Sequence, residues 1–289
     1  MLAPANTQTA HKPAAYSDSA IEIGDLKLRV QDYGSPGRPA MLCLHGGGAN
    51  AHWYDFVAHG FTVDYHVRSL DFRGHGDSQW DTSPTPVYGY HRHAADVNEL
   101  AQKLDLRDFV LIGHSMGGMI GSIYCATYPG RVRAFMLVDT TIKMTPERIA
   151  GFSAVGNREG RHYATQEEFI ANYRVHPGGS SAAPEILRYI AQHSGRRFDD
   201  GRWRHKLDRR VYANREIVDS FALWNKIKIP ALLMKGERSA RIDPPTVAEV
   251  KSRAPQVEVV EVANCDHHIT LDNPAGFVQA ARDFLNKIE

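Results

Sequence analysis

The sequence predicts an α/β protein built on a mostly parallel, doubly wound sheet with an inserted helical lid. Three observations point there. Apolar runs at Ala40-Met41-Leu42-Cys43-Leu44, Phe109-Val110-Leu111-Ile112, Ala134-Phe135-Met136-Leu137-Val138 and Ala231-Leu232-Leu233-Met234 read as strands buried on both faces. The second run enters Gly113-His114-Ser115-Met116-Gly117-Gly118 and leaves it as a helix, the strand–turn–helix setting that an exposed nucleophile requires. Finally, the alternation of strand and helix stops between about 141 and 228 and then resumes, as an insertion would make it do.

A chain of 289 residues fits one such domain with an insertion. The expected parts are a flexible leader over 1–19, a core from 20–140 and 229–289, and a helical cap over 141–228. With 34 basic against 33 acidic side chains, no global charge points to nucleic acid or a charged membrane. No apolar run matches a membrane span, and the first twenty residues lack a signal peptide's basic and apolar regions. Cys43, Cys125 and Cys265 are odd in number and have no Cys-x-x-Cys spacing, which points to a reducing cytoplasm. Nucleotide and metal motifs are missing, so the expectation is no metal and no cofactor.

Taken in order, Ala20–Ile23 and Leu26–Val30 alternate around Gly24-Asp25 as a hairpin. The run at 40–44 ends in His45-Gly46-Gly47-Gly48, where backbone N–H groups can approach a ligand. Gly47 is the first choice as an oxyanion donor, with Gly48 next. Ala51–His59 reads as a short helix whose Trp53 can line a pocket. In Asp71-Phe72-Arg73-Gly74-His75-Gly76-Asp77-Ser78, Arg73 and the aspartates are expected to tie the loop. Tyr90–Leu104 is an amphipathic helix on which His93 and Asp96 read as solvated or capping residues.

Ser115 then sits at a helix N-terminus, where developing negative charge meets free N–H groups, that of Met116 foremost. Asp139 follows the next strand at the sheet edge where ligands gather. The insertion predicts helices at 166–173 and 183–192, joined by Gly, Pro and Ser breaks. It carries 16 basic against 10 acidic residues between Lys143 and Lys228, many of them in the run from Arg196 to Lys206. That run is either a solvated face or a selector of carboxylate-bearing substrates. Val257–Val262 is the last strand, and Asn264-Cys265-Asp266-His267-His268 follows it before a closing helix over 275–287. A histidine there can fold over the sheet edge towards Ser115.

These motifs, in this order, resemble the α/β-hydrolase fold family. The matching pieces are His45-Gly46-Gly47-Gly48, the Asp71–Ser78 turn, the Gly113–Gly118 elbow, and His267 with the downstream Leu271-Asp272-Asn273-Pro274. The resemblance implies Ser115 as nucleophile and His267 as base, with His268 an alternative for the base. Family members commonly place the acid where Ser239 stands here. Other members take the acid from the end of the strand that follows the elbow helix, where Asp139 stands; the resemblance thus implies Asp139, with Asp243, Glu237 or a triad without its acid left open. Met116 and Gly47 would hold the oxyanion, and His45, Gly48, Trp53 and His114 are candidate substrate contacts. The expected activity is cofactor-free hydrolysis of a small-molecule ester or lactone through an acyl-enzyme. Amide or C–C hydrolysis of a small anionic substrate stays open, as do a cofactor-free oxygenase, a haloperoxidase-like relative and a ligand sensor. A homodimer is possible; a nucleic-acid or membrane partner is not expected.

Overall fold

The computed structural model describes residues 12–213 and 215–288. Ten strands occur there: β1 Ser17–Ile23, β2 Leu26–Asp32, β3 Ala40–Leu44, β4 His66–Leu70, β5 Phe109–His114, β6 Val132–Val138, β7 Gly195–Arg197, β8 Trp203–His205, β9 Ala231–Gly236 and β10 Val257–Val262. Ten helices accompany them: α1 Tyr90–Lys103, α2 Met116–Thr127, α3 Pro146–Gly156, α4 Gln166–Asn172, α5 Pro184–Ser194, α6 Arg210–Ala213, α7 Ser220–Trp224, α8 Pro244–Arg253, α9 Ile269–Asp272 and α10 Pro274–Ile288. None is long and apolar enough to cross a membrane.

Eight strands form one sheet in the order β1-β2-β4-β3-β5-β6-β9-β10. The pairs β1–β2 and β2–β4 are antiparallel; from β4 to β10 every neighbour is parallel. Side chains alternate across a strand, so the apolar runs feed two cores at once. Leu42, Leu44, Phe109, Leu111, Phe135, Leu137 and Leu233 enter the core that contains α1 and α2. Met41, Cys43, Val110, Ile112, Met136, Val138 and Leu232 enter the one that contains α10. That two-sided burial is why residues 40–44, 109–112, 134–138 and 231–234 are uninterrupted apolar runs. It also fixes their carboxyl ends along one edge, from which the loops carrying Gly47, Ser115, Asp139 and His267 emerge.

Several elements differ from expectation. β1 begins at Ser17, inside the segment assigned to a leader, because Ser17–Ser19 pair with Val30–Asp32 and Ala14 N–H donates to Asp55. Residues 1–11 of that segment lie outside the described ones. The helix expected over 51–59 is two 3-10 turns, Ala51–Tyr54 and Ala58–Gly60. The segment between β6 and β9 holds α3 to α7 and also the hairpin β7–β8, whose short, arginine-rich strands carry no alternation. It docks onto the core through an apolar cluster in which Ile186 and Ile190 of α5 meet Trp53 and Phe56. Beside that cluster, buried Asp55 accepts hydrogen bonds from Tyr189 (2.6 Å), Tyr33 (2.7 Å) and Gln31 (2.8 Å).

His93 and Asp96 are buried, neither solvated nor capping. Asp96 pairs with Arg73, whose Nη2 lies 2.7 Å away, and with Arg92 at 2.9 Å, so Arg73 ties its loop to α1 and not to the neighbouring aspartates. Asp71 instead receives Arg29 and the N–H groups of Ala51 and Asp77.

Candidate active site

Ser115 is wedged between β5 and α2 with φ 52°, ψ −114°, a conformation that L-residues rarely adopt and that persists only when neighbours enforce it. The neighbours are glycines because nothing larger fits. A Cβ on Gly113 would overlap the Gly117 carbonyl, and one on Gly117 would overlap the Leu44 carbonyl. Thr140 Oγ1 donates to the Ser115 carbonyl at 3.0 Å, and Ser115 N–H donates to Val138, fixing the turn to the end of β6.

His267, in the loop after β10, places Nε2 3.1 Å from Ser115 Oγ and Nδ1 2.6 Å from Asp139 Oδ2. Asp139 is fully buried, also has positive φ (42°), and accepts from Gly236 N–H (3.3 Å) and Ser239 Oγ (2.6 Å). A carboxylate can only accept, so Nδ1 carries the proton and Nε2 presents its lone pair to Ser115. Burial holds His267 well below the ordinary imidazole pKa, helped by the Arg241 cation and His268; the ring is neutral at pH 7. Burial raises the Asp139 carboxyl, while the hydrogen bonds from Ser239 and Gly236 oppose that rise. Ser239 thus stands at the position where a family acid is expected and donates to the carboxylate that occupies its space.

The other acids are engaged elsewhere. Asp243 caps α8, accepting from Thr246 N–H at 2.9 Å, and Glu237 accepts from Asn264 N–H at 2.7 Å. His268 Nε2 bonds the Pro177 carbonyl, not Ser115. Met116 is the first residue of α2, so its N–H has no carbonyl within the helix, and Gly47 lies in the turn after β3.

Of the residues expected to contact substrate, four face other tasks. His45 is buried with Nδ1 2.7 Å from the Gly46 carbonyl and Nε2 accepting from Phe72 N–H. Gly48 has φ 73° and packs against the Tyr212 hydroxyl. Trp53 belongs to the apolar cluster under α5 and stacks on His114, whose Nε2 lies 2.9 Å from the His267 carbonyl. His114, His267 and His268 bring one ring nitrogen each within 4.8 Å of one another, the spacing of a metal site. A metal there would have to take a His267 nitrogen from Ser115 or from Asp139.

Ser115 and Met116 line a void of only about 20 Å³, with Tyr90, Phe152, Arg215 and Arg241 also in its wall. It has room for about one water molecule. A larger hollow of about 560 Å³ lies between α4 and α5 and contains none of these residues. The sequence reading missed Arg215 and Arg241; each is one arginine among many until the fold brings it to Ser115. The basic run it singled out points elsewhere: Arg196 stacks on Trp80 and Phe198, Arg204 pairs with Asp200, and Lys206 pairs with Asp77 at 2.7 Å.

The sequence pattern of the alpha/beta hydrolase fold matches residues 39–274. The chain belongs to this family. Among its relatives, a serine hydrolase-like protein of Danio rerio is 28% identical over 96% of this chain and 90% of its own. A Mycobacterium tuberculosis esterase is 28% identical over 86% and 83%. The 2-(acetamidomethylene)succinate hydrolase of Mesorhizobium japonicum is 24% identical over 92% and 94%. Among solved structures, E-2-(acetamidomethylene)succinate hydrolase superposes with a TM-score of 0.80 at 23% identity, over 94% of this chain and all of the other. An α/β hydrolase of Novosphingobium aromaticivorans gives 0.78 at 27%, over 95% and 99%.

Proposed function

We propose that this α/β hydrolase is a serine hydrolase that cleaves a carboxylic ester or lactone through an acyl-enzyme on Ser115. The observation that carries the proposal is the hydrogen-bonded line Ser115 Oγ–His267 Nε2, His267 Nδ1–Asp139 Oδ2, at 3.1 and 2.6 Å. In this mechanism Ser115 Oγ attacks the carbonyl carbon and its proton passes to His267 Nε2. The negative charge moves to the carbonyl oxygen, which the Met116 and Gly47 N–H groups and the start of α2 stabilise; loss of one such donor costs on the order of 10²-fold or more in rate. The imidazolium is held by Asp139 and returns its proton to the leaving group. Water then repeats the sequence on the acyl-enzyme, with neutral His267 as base. None of these steps calls for a cofactor.

Arg215 lines the small void beside Ser115, and in this proposal it moves with the segment carrying it to admit substrate. In this proposal the segment between β6 and β9 acts as a lid. Amide hydrolysis is the second reading, supported by a relative whose named substrate is an acetamido derivative of succinate. The test is turnover of 4-nitrophenyl acetate, 4-nitrophenyl butyrate, a γ-lactone and the corresponding amides by the wild type and Ser115→Ala. Turnover that falls by at least ~10³-fold in the variant is expected. Equal rates in the two proteins would sink the proposal.

A further inference from the structure

We infer that Arg215 and Arg241 form a receptor for a free carboxylate on the substrate, making the cleaved compound a monoester or monoamide of a short dicarboxylic acid. This specification rests on the hydrolase reading of Ser115.

The two guanidinium groups reach the Ser115 void from different parts of the fold. Arg215 comes from the connection between α6 and α7, and Arg241 from the loop between β9 and α8. Arg215 is held by aromatic faces, its guanidinium carbon 3.9 Å from the Phe152 ring centre and 4.7 Å from that of Tyr212. Its Nη2 lies 3.7 Å from Met116 Sδ and against Gly47, where a Cβ would overlap it. The cation therefore sits between the two residues whose N–H groups are proposed to hold the oxyanion. Arg241 Nη1 donates to Thr141 Oγ1 at 2.9 Å, and exposed Arg148 approaches the same hydroxyl at 3.5 Å.

Among the described residues, none of these three arginines makes an ion pair with a carboxylate. Elsewhere in this protein, arginines that enter the interior do: Arg29 pairs with Asp71 and Arg73 with Asp96. The one acid that acts electrostatically on Arg241 is Asp139, both of whose oxygens are already engaged by His267, Ser239 and Gly236. Burial pushes the Arg241 pKa down, and repulsion from Arg148 and Arg215 pushes it the same way. A half-buried cluster of like charges without a counter-ion is unfavourable by itself and becomes favourable when an anion enters. Arg215 Nε is buried without a partner, leaving the guanidinium with donors to offer. The planar fork of guanidinium matches the two oxygens of a carboxylate.

The test compares monoethyl succinate with its neutral isostere ethyl levulinate, following ethanol release. The wild type is expected to favour the acid in kcat/KM by at least ~30-fold, and that ratio should fall ~10-fold or more in Arg215→Met and in Arg241→Met, in line with loss of a charge-assisted hydrogen bond. Arg215→Lys and Arg241→Lys keep the charge but not the fork, and should give intermediate ratios. A wild-type ratio of one or less, or ratios unmoved in folded Met variants, overturns the inference. Succinate titrated calorimetrically into Ser115→Ala provides a readout that needs no turnover. If neither ester is cleaved, the titration decides alone, and the hydrolase reading is judged separately on the 4-nitrophenyl esters. Succinate binding that weakens when Arg215→Met or Arg241→Met is added upholds the receptor, and no binding overturns it.

Discussion

Asp139→Asn tests how the site holds its proton. The wild-type carboxylate accepts from three directions: Gly236 N–H on Oδ1, and His267 Nδ1 and Ser239 Oγ on Oδ2. An asparagine can sit there in two ways. With its oxygen towards Gly236, the NH₂ group faces His267, so Nδ1 must accept and the ring proton moves to Nε2, opposite Ser115 Oγ. With the amide reversed, NH₂ faces Gly236 N–H, donor against donor, which costs about 1–3 kcal/mol for the unpaired buried group. The first arrangement is favoured, and it holds the histidine in the tautomer that cannot take the serine proton. A wrong tautomer lowers kcat on the order of 10⁴-fold, about 5 kcal/mol of barrier. The assay is steady-state ester turnover, with circular dichroism to confirm folding. A loss smaller than about tenfold in a folded variant would refute the assignment of Asp139 as the group that orients His267.

Because Ser239 Oγ reaches Asp139 Oδ2 at 2.6 Å, Asp139→Asn combined with Ser239→Asp should recover at least ~10-fold over the single variant, measured as kcat/KM. No recovery would mean that residue 239 cannot point a carboxylate at His267. For pH, the acid limb of kcat/KM should lie below the ordinary imidazole value of about 6.5, since burial favours neutral His267; a midpoint above 7 contradicts this. Stability follows the same sign. His45, His75, His93 and His114 are buried with lowered pKa, and His205 is pushed down to about 4, so below pH ~6.5 the unfolded chain binds protons first. Each group then destabilises the fold by up to ~1.4 kcal/mol per pH unit until its folded pKa is reached, and a Tm that stays flat from pH 7 to 4 would contradict that burial. Gly117→Ala should destabilise by ~1–3 kcal/mol or more in urea unfolding, because its Cβ meets a backbone carbonyl that cannot rotate away. Unchanged stability would mean that the turn is looser than described.

What the sequence made legible was local. The elbow is a run of adjacent residues whose glycines are demanded by backbone approach. Asp139 follows a strand announced by its apolar run, and His267 follows one announced by valines alternating with glutamates. Burial of both sheet faces is written into 109–112 and 134–138 for the same reason. Arg215 and Arg241 were not legible, because what distinguishes them from the other arginines of this chain is the company that the fold gives them. Asp96 was misread for a related cause: a charged residue on an amphipathic helix looks solvated until Arg73 arrives from another loop. The hairpin β7–β8 escaped because its three-residue strands are too short for a period to show.

The most direct test of the central claim is intact-mass labelling with a fluorophosphonate, with the adduct mapped by peptide sequencing. One adduct is expected, on Ser115, absent in Ser115→Ala and strongly slowed in Asp139→Asn while Asp243→Asn labels like the wild type. A folded wild type that stays unlabelled, or an adduct on another residue, would contradict Ser115 as a nucleophile activated by His267 and Asp139.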